Sequence, residues 1–176
     1  MSFFKEELKN VKAFVFDVDG VLSKDTSPLN ENGDPVRTAN VKDGFSMRIA
    51  IKLGYPVAII TGGYIERLRL RYEKLGVKYY YDSVRDKVEC LNDFLEKTGV
   101  DSKDILFMGD DLVDFLVMKE VGVPTCPQDA VNEIKRISKY ISDKKGGDGC
   151  VRDVIEQTLK AQNKWFTKDL LNSNAF

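Results

Sequence analysis

Ala13-Phe14-Val15-Phe16 is too short for a buried helix and too uniformly apolar for a strand with one face in water. It reads as a strand of about residues 12–17 covered on both sides. The signature returns at Pro56-Val57-Ala58-Ile59-Ile60 and at Ile105-Leu106-Phe107-Met108, with shorter runs at Lys78 to Tyr81, Val123 to Thr125 and Tyr140-Ile141. Between these runs, apolar residues recur at helical spacing. Asp43 can cap a helix carrying Met47, Ala50 and Ile51 inward and stopping at Gly54. Ile65, Leu68, Tyr72 and Leu75 share one face of the next helix, with Arg67, Arg69 and Arg71 on its other face. Val88, Leu91 and Leu95 mark a third, ending at Gly99; another runs to Val121; Val131, Ile134 and Ile137 mark a fifth; Val151, Val154, Ile155 and Leu159 mark the last. Residues 1–10 form an amphipathic lead-in, and the stretch past Trp165 is polar and expected to fray. Strands alternating with such helices specify the α/β class: a Rossmann-like, doubly wound, mostly parallel sheet with helices on both faces. A chain of 176 residues suits one domain, 1–176, burying roughly 70% of the surface it would expose unfolded.

The first strand ends in Asp17-Val18-Asp19-Gly20. Strand alternation would put both carboxylates on one side at the sheet's carboxyl edge, where open α/β sheets bind ligands. Two like charges so close need a cation or a shared proton. Asp-x-Asp-Gly is also ordinary turn chemistry, so the motif alone leaves both readings open. The second strand ends in Thr61-Gly62-Gly63 and the fourth in Gly109-Asp110-Asp111-Leu112-Val113-Asp114. One acidic residue of the latter could cap the following helix; three exceed what capping needs. A parallel sheet would gather all these strand ends at one edge. Lys87 opens a helix, where the dipole disfavours a cation; it is either solvated or placed to neutralise an anion. Thr61 is either a cap or a donor to a phosphoryl oxygen. Residues 23–40, with Asn32-Gly33 as a turn signal, read as a projecting β-hairpin flap.

Composition removes most other chemistries. Histidine is absent, which excludes Ser-His-Asp and Cys-His mechanisms and His-ligated metals. An all-oxygen ligand set without His or thiolate selects Mg²⁺. Lys+Arg 27 against Asp+Glu 28 gives a formal charge of -1, so no global field favours nucleic acid or an anionic membrane. Neither a spanning apolar run nor a signal peptide is read. Cys90, Cys126 and Cys150 match neither a zinc pattern nor a disulfide framework, which suits a reducing cytoplasm and buried apolar roles.

Asp17-x-Asp19-Gly20-Val21, Thr61, Lys87 and Gly109-Asp110-Asp111-x-x-Asp114 occur in the order of the four haloacid dehalogenase superfamily motifs. Together with Asn40-Val41-Lys42-Asp43-Gly44, Arg71, Asp86-Lys87 and Gly146-Gly147-Asp148-Gly149-Cys150-Val151-Arg152, they make the chain resemble the 3-deoxy-D-manno-octulosonate 8-phosphate phosphatase family of lipopolysaccharide synthesis. The resemblance covers about residues 11–162 and implies a capless Mg²⁺-dependent phosphatase. It implies Asp17 as nucleophile and Asp19 as general acid and base. Asp17, the Asp19 carbonyl and Asp110 would be the metal ligands, with Asp111 and Asp114 orienting them, and Thr61 and Lys87 would bind phosphate. Asp19, Asn40, Val41, Lys42, Asp43, Gly44, Gly62, Gly63 and Arg71 would meet the substrate, a phosphorylated sugar acid. The family further implies a homotetramer in which a neighbour's flap, here residues 23–40, and glycine-rich tail, here residues 146–152 with Gly146, Gly147 and Arg152, cover the site. Two departures stand out: many relatives have arginine where this chain has Gly63, and Thr-Asp-Gly where it has Ser23-Lys24-Asp25. Two alternatives stay open, a phosphatase for a nine-carbon sugar-acid 9-phosphate and a non-catalytic oligomerisation subunit of a cytidylyltransferase. A phosphomutase would need a cap domain, for which the chain has no room.

Overall fold

The computed structural model describes residues 2–168 and 170, so most of the tail expected to fray lies outside the described residues. Six strands, β1 (Ala13–Phe16), β2 (Val57–Ile60), β3 (Tyr79–Tyr81), β4 (Ile105–Met108), β5 (Val123–Cys126) and β6 (Tyr140–Ile141), form one sheet in the order β3-β2-β1-β4-β5-β6. Every pairing is parallel, with Phe16 level with Met108 on one side and Ile59 on the other. β1, β2 and β4 are buried along their whole length, which is why their sequences lack polar alternation.

Phe14 and Phe16 point into one apolar layer, beneath α1 (Ser2–Leu8), α2 (Val41–Lys52), α3 (Glu66–Lys74) and α7 (Cys150–Ala161). Ala13 and Val15 point into the other, beneath α4 (Lys87–Thr98), α5 (Phe115–Lys119) and α6 (Asn132–Ile137). The alternation along β1 thus feeds two cores at once. No helix among the described residues is long and apolar enough to cross a membrane.

The strand order reverses between β1 and β4: the chain leaves β1 toward β2 and β3, then returns to the opposite side as β4. Helices on either side of that reversal diverge and leave a crevice at the carboxyl ends. Asp17 and Asp110 follow the two strands that flank it.

Several local expectations give way to tertiary context. The cap of α2 is Asn40, whose side chain accepts from the Lys42 and Asp43 amides, because Asp43 is drawn inward to accept from the Arg152 amide at 2.7 Å. The helix expected to follow Asp111 starts as a short 3₁₀ turn, Leu112–Asp114, capped by Asp111, before α5 begins. Residues 24–40 reverse direction around Asn30–Asp34 with one antiparallel bridge, Leu29 to Pro35, rather than two paired strands. Cys126 and Cys150 are buried as expected, whereas Cys90 is only half-buried.

Candidate active site

β1 stops at Phe16, and a tight turn begins at Val18, whose carbonyl accepts from the amides of Val21 and Ser23. Strand alternation therefore ends before Asp19, and the two acidic side chains part. Asp17 is 4% exposed and turns into the crevice; its Oδ1 accepts from the Val18 amide at 2.7 Å and lies 3.0 Å from Lys87 Nζ. The Asp19 carboxylate instead takes a two-pronged ion pair from Arg37, Nε to Oδ1 at 2.7 Å and a terminal nitrogen to Oδ2 at 2.9 Å.

Among the described residues, Asp17, Asp110 and Asp114 bring carboxylate oxygens within 4.8 Å of one another. Asp114 uses both of its oxygens within the protein. Oδ1 accepts from Lys87 Nζ at 2.6 Å, and Oδ2 accepts from the Asp110 amide at 3.0 Å. That second bond fixes the loop carrying Asp110. Asp110 Oδ1 is buried without a hydrogen-bond partner. Gly20 makes the convergence possible: its φ is +74°, and a Cβ there would collide with the Asp110 carboxylate.

Electrostatics shows what the cluster wants. Burial, then the Asp114 charge, pushes Asp17 up to about 7 against the opposing pull of Lys87. Burial, with the charges of Asp17 and Asp114, pushes Asp110 up to about 8. Burial alone would lower the Lys87 pKa, but Asp17 and Asp114 outweigh it and hold the ammonium charged. One ammonium cannot balance three ionised carboxylates, which is why two of them are pushed toward holding protons, and an orphaned acceptor lies beside it. Both observations fit a hard divalent cation held by Asp17 and Asp110.

Thr61 is buried at the end of β2, where its Oγ1 accepts from the Gly63 amide at 3.2 Å. Asp111 does not join the cluster, being exposed and accepting from the Leu112 amide, and with Asp19 held by Arg37 the five strand-end carboxylates reduce to three that converge. Asn40, Val41, Lys42, Gly147 and Arg152 line one open cleft of about 590 Å³ between the flap's return limb and the start of α7. Behind it Asp43 and Gly44 are buried, and burial pushes Asp43 up to about 6 although backbone amides bind it. Arg71 is half-buried against Gly44, with its Nε lacking a partner. At Gly147 the amide donates to the Val21 carbonyl at 2.8 Å and the carbonyl accepts from Asn40, and the Gly146 amide donates to Asp129 at 2.9 Å. Sequence reasoning missed Arg37. Its only signal is a guanidinium at the base of a polar flap, 18 residues from its partner.

Residues 81–154 match the family model of the haloacid dehalogenase-like hydrolases. The 3-deoxy-D-manno-octulosonate 8-phosphate phosphatase of Salmonella typhi is 34% identical over 156 residues, covering 89% of this chain and 83% of the relative. The crystal structure of that phosphatase from Yersinia pestis is 32% identical with a TM-score of 0.87, over 92% of this chain and 87% of the other. The Moraxella catarrhalis phosphatase, solved with magnesium ion, phosphate ion and KDO, is 31% identical with a TM-score of 0.89, over 98% of each chain.

Proposed function

The chain belongs to the 3-deoxy-D-manno-octulosonate 8-phosphate phosphatase family of haloacid dehalogenase-like hydrolases, and from that membership we propose a Mg²⁺-dependent phosphatase acting on a phosphorylated 2-keto-3-deoxy sugar acid, foremost 3-deoxy-D-manno-octulosonate 8-phosphate. The observation that carries the reading is the convergence of Asp17, Lys87, Asp110 and Asp114 at the sheet's switch point. The chain acts as one capless domain.

Asp17 attacks phosphorus, the ester P–O bond breaks, and Asp19 gives its proton to the departing sugar oxygen. Water then attacks the aspartyl phosphate, Asp19 takes the water's proton, and phosphate leaves with Asp17 restored. Mg²⁺, held by Asp17, Asp110 and the Asp19 carbonyl, supplies charge neutralisation on the phosphoryl oxygens. Lys87 adds a fixed positive charge to the same oxygens, and Thr61 offers its hydroxyl. Asp114 orients both Lys87 and Asp110 through its two oxygens. Asn40 and Lys42, on the wall of the open cleft beside the flap's return limb, would contact the sugar.

Exposed Leu112, Val113 and Leu116 stand next to the site and give a second copy an apolar surface, in keeping with a homotetramer. Sedimentation of the protein and of Leu116→Asp checks that assembly. Three free cysteines fit a cytoplasmic protein. Purified protein with Mg²⁺ should release phosphate from the eight-carbon substrate faster than from a nine-carbon sugar-acid 9-phosphate. Asp17→Asn should abolish release from both. Full activity in Asp17→Asn overturns the mechanism, and no hydrolysis of any phosphate ester returns the chain to a non-catalytic role.

A further inference from the structure

Arg37 sits where the mechanism needs a free carboxylate. Its guanidinium engages both oxygens of Asp19, the geometry in which arginine matches a carboxylate best. The partners are unequally placed: the Arg37 side chain is 13% exposed and the Asp19 side chain 47%. Arginine is therefore the wall, and the carboxylate is the exchangeable half. Backbone ties on either side fix the wall, since the Val36 amide donates to the Pro28 carbonyl at 2.8 Å and the Thr38 amide to Ser23 Oγ at 2.9 Å. Gly63 makes the room: a Cβ there would lie 2.6 Å from a terminal nitrogen of Arg37 and 3.1 Å from its central carbon. The guanidinium thus lies between the Asp19 turn and the Thr61-Gly62-Gly63 turn, at the mouth of the crevice.

While the pair is closed, neither Asp19 oxygen is available to a departing sugar oxygen. A sugar phosphate whose only anion is the phosphoryl group held at Asp17 and Lys87 cannot open it, because the largely covered Arg37 side chain would be left without a counter-charge. A second carboxylate can, by exchanging one fork-to-fork pair for another. We propose that Arg37 reads the carboxylate of the sugar acid: the incoming carboxylate displaces Asp19 from the guanidinium, and the same exchange that binds substrate frees Asp19 to face the leaving oxygen. The inference rests on the phosphatase reading above and adds a positioning and specificity-determining residue to it. Discrimination then comes from the penalty that falls on ligands lacking the group, rather than from extra attraction alone.

The test uses the full chain with Mg²⁺ and two substrates, the eight-carbon sugar-acid phosphate and p-nitrophenyl phosphate, which carries no carboxylate. Arg37→Met should raise KM for the sugar-acid phosphate by about tenfold or more while kcat/KM for the carboxylate-free ester holds or rises, so selectivity collapses. Arg37→Lys, which keeps the charge and loses the fork, should recover only part of the affinity. Equal losses on both substrates, or none, overturn the proposal, because a purely structural role would not separate them. Calorimetry with the dephosphorylated sugar acid gives a readout independent of turnover: binding by wild type and none by Arg37→Met is expected, and equal binding overturns it. A wild type inactive on both esters instead sinks the phosphatase reading, and the calorimetric comparison still decides Arg37.

Discussion

Lys87 stands between two buried carboxylates, 3.0 Å from Asp17 and 2.6 Å from Asp114. Its removal leaves both acids facing each other without a counter-ion, which in buried pairs costs about 3–5 kcal/mol. Lys87→Met should lower stability by that order, more at pH 8 than at pH 5, since Asp17, pushed up to about 7, can hold a proton at the lower pH. Its rate should fall by roughly a thousandfold through kcat, because a positive charge aimed at the phosphoryl oxygens is lost. Melting curves at the two pH values and steady-state kinetics check both. Gly20→Ala acts on the metal instead: a Cβ meets the Asp110 carboxylate, and φ at +74° is already unfavourable for alanine. Mg²⁺ affinity measured by calorimetry should drop by about a hundredfold or more, with hydrolysis falling in step. The acidic residues were legible because the carboxylates at the ends of buried strands outnumber what turns and caps use, Asp111 alone serving as an N-cap. Which of them converge was not, since the side on which Asp19 emerges depends on a turn that starts at Val18. The pair with Arg37 was equally hidden, as the flap has no periodicity to set its register.

At the level of elements, strand runs were readable to within a residue or so because burial on both faces leaves an unbroken apolar signal. The β4 limits, Ile105–Met108, coincide with the apolar run itself. Helix starts were harder, because Asn and Asp both cap and only packing chooses between them. α2 is capped by Asn40, which also donates from Nδ2 to the Gly147 carbonyl at 3.1 Å, while Asp43 one turn later anchors the first turn of α7. These two polar residues therefore staple the flap's return limb and α2 to α7. Asn40→Ala should cost about 1 kcal/mol as a lost cap, and more for the lost staple. It should also raise KM with kcat nearly unchanged, since the cleft wall moves and the carboxylate cluster does not. Urea denaturation and kinetics on the same preparation test this. An equal fall in kcat would show that the staple reaches the acidic cluster.

At the scale of the molecule, three carboxyls raised among the described residues make stability a function of pH and metal together. Asp17, Asp110 and Asp43 sit at about 7, 8 and 6 in the fold against 3.8 for the ordinary carboxyl. Between those limits the folded state binds more protons than the unfolded chain, so stability falls as pH rises. In chelator, stability should therefore drop between pH 5 and pH 8 by on the order of several kcal/mol, and the melting temperature with it. Each such group contributes roughly 1.4 kcal/mol for every pH unit over which the fold keeps its proton and the unfolded chain does not. Mg²⁺ reverses the sign at the cluster, because it binds the ionised carboxylates that burial disfavours. At a hundredfold excess over its dissociation constant it should add about 2.7 kcal/mol, which for a chain of this size is a rise of roughly 5–10 °C. The gain should be larger at pH 8 than at pH 5, where protons compete for the same oxygens. Asp43 accepts from backbone amides at the start of α7 and lies outside the group of three converging carboxylates. Its share, confined to pH about 4–6, should persist in Mg²⁺ and weaken in Asp43→Asn. Calorimetric scans with and without Mg²⁺ across this range separate the two. A Mg²⁺ shift independent of pH would mean that the cation binds away from Asp17 and Asp110, and the site would have to be drawn elsewhere.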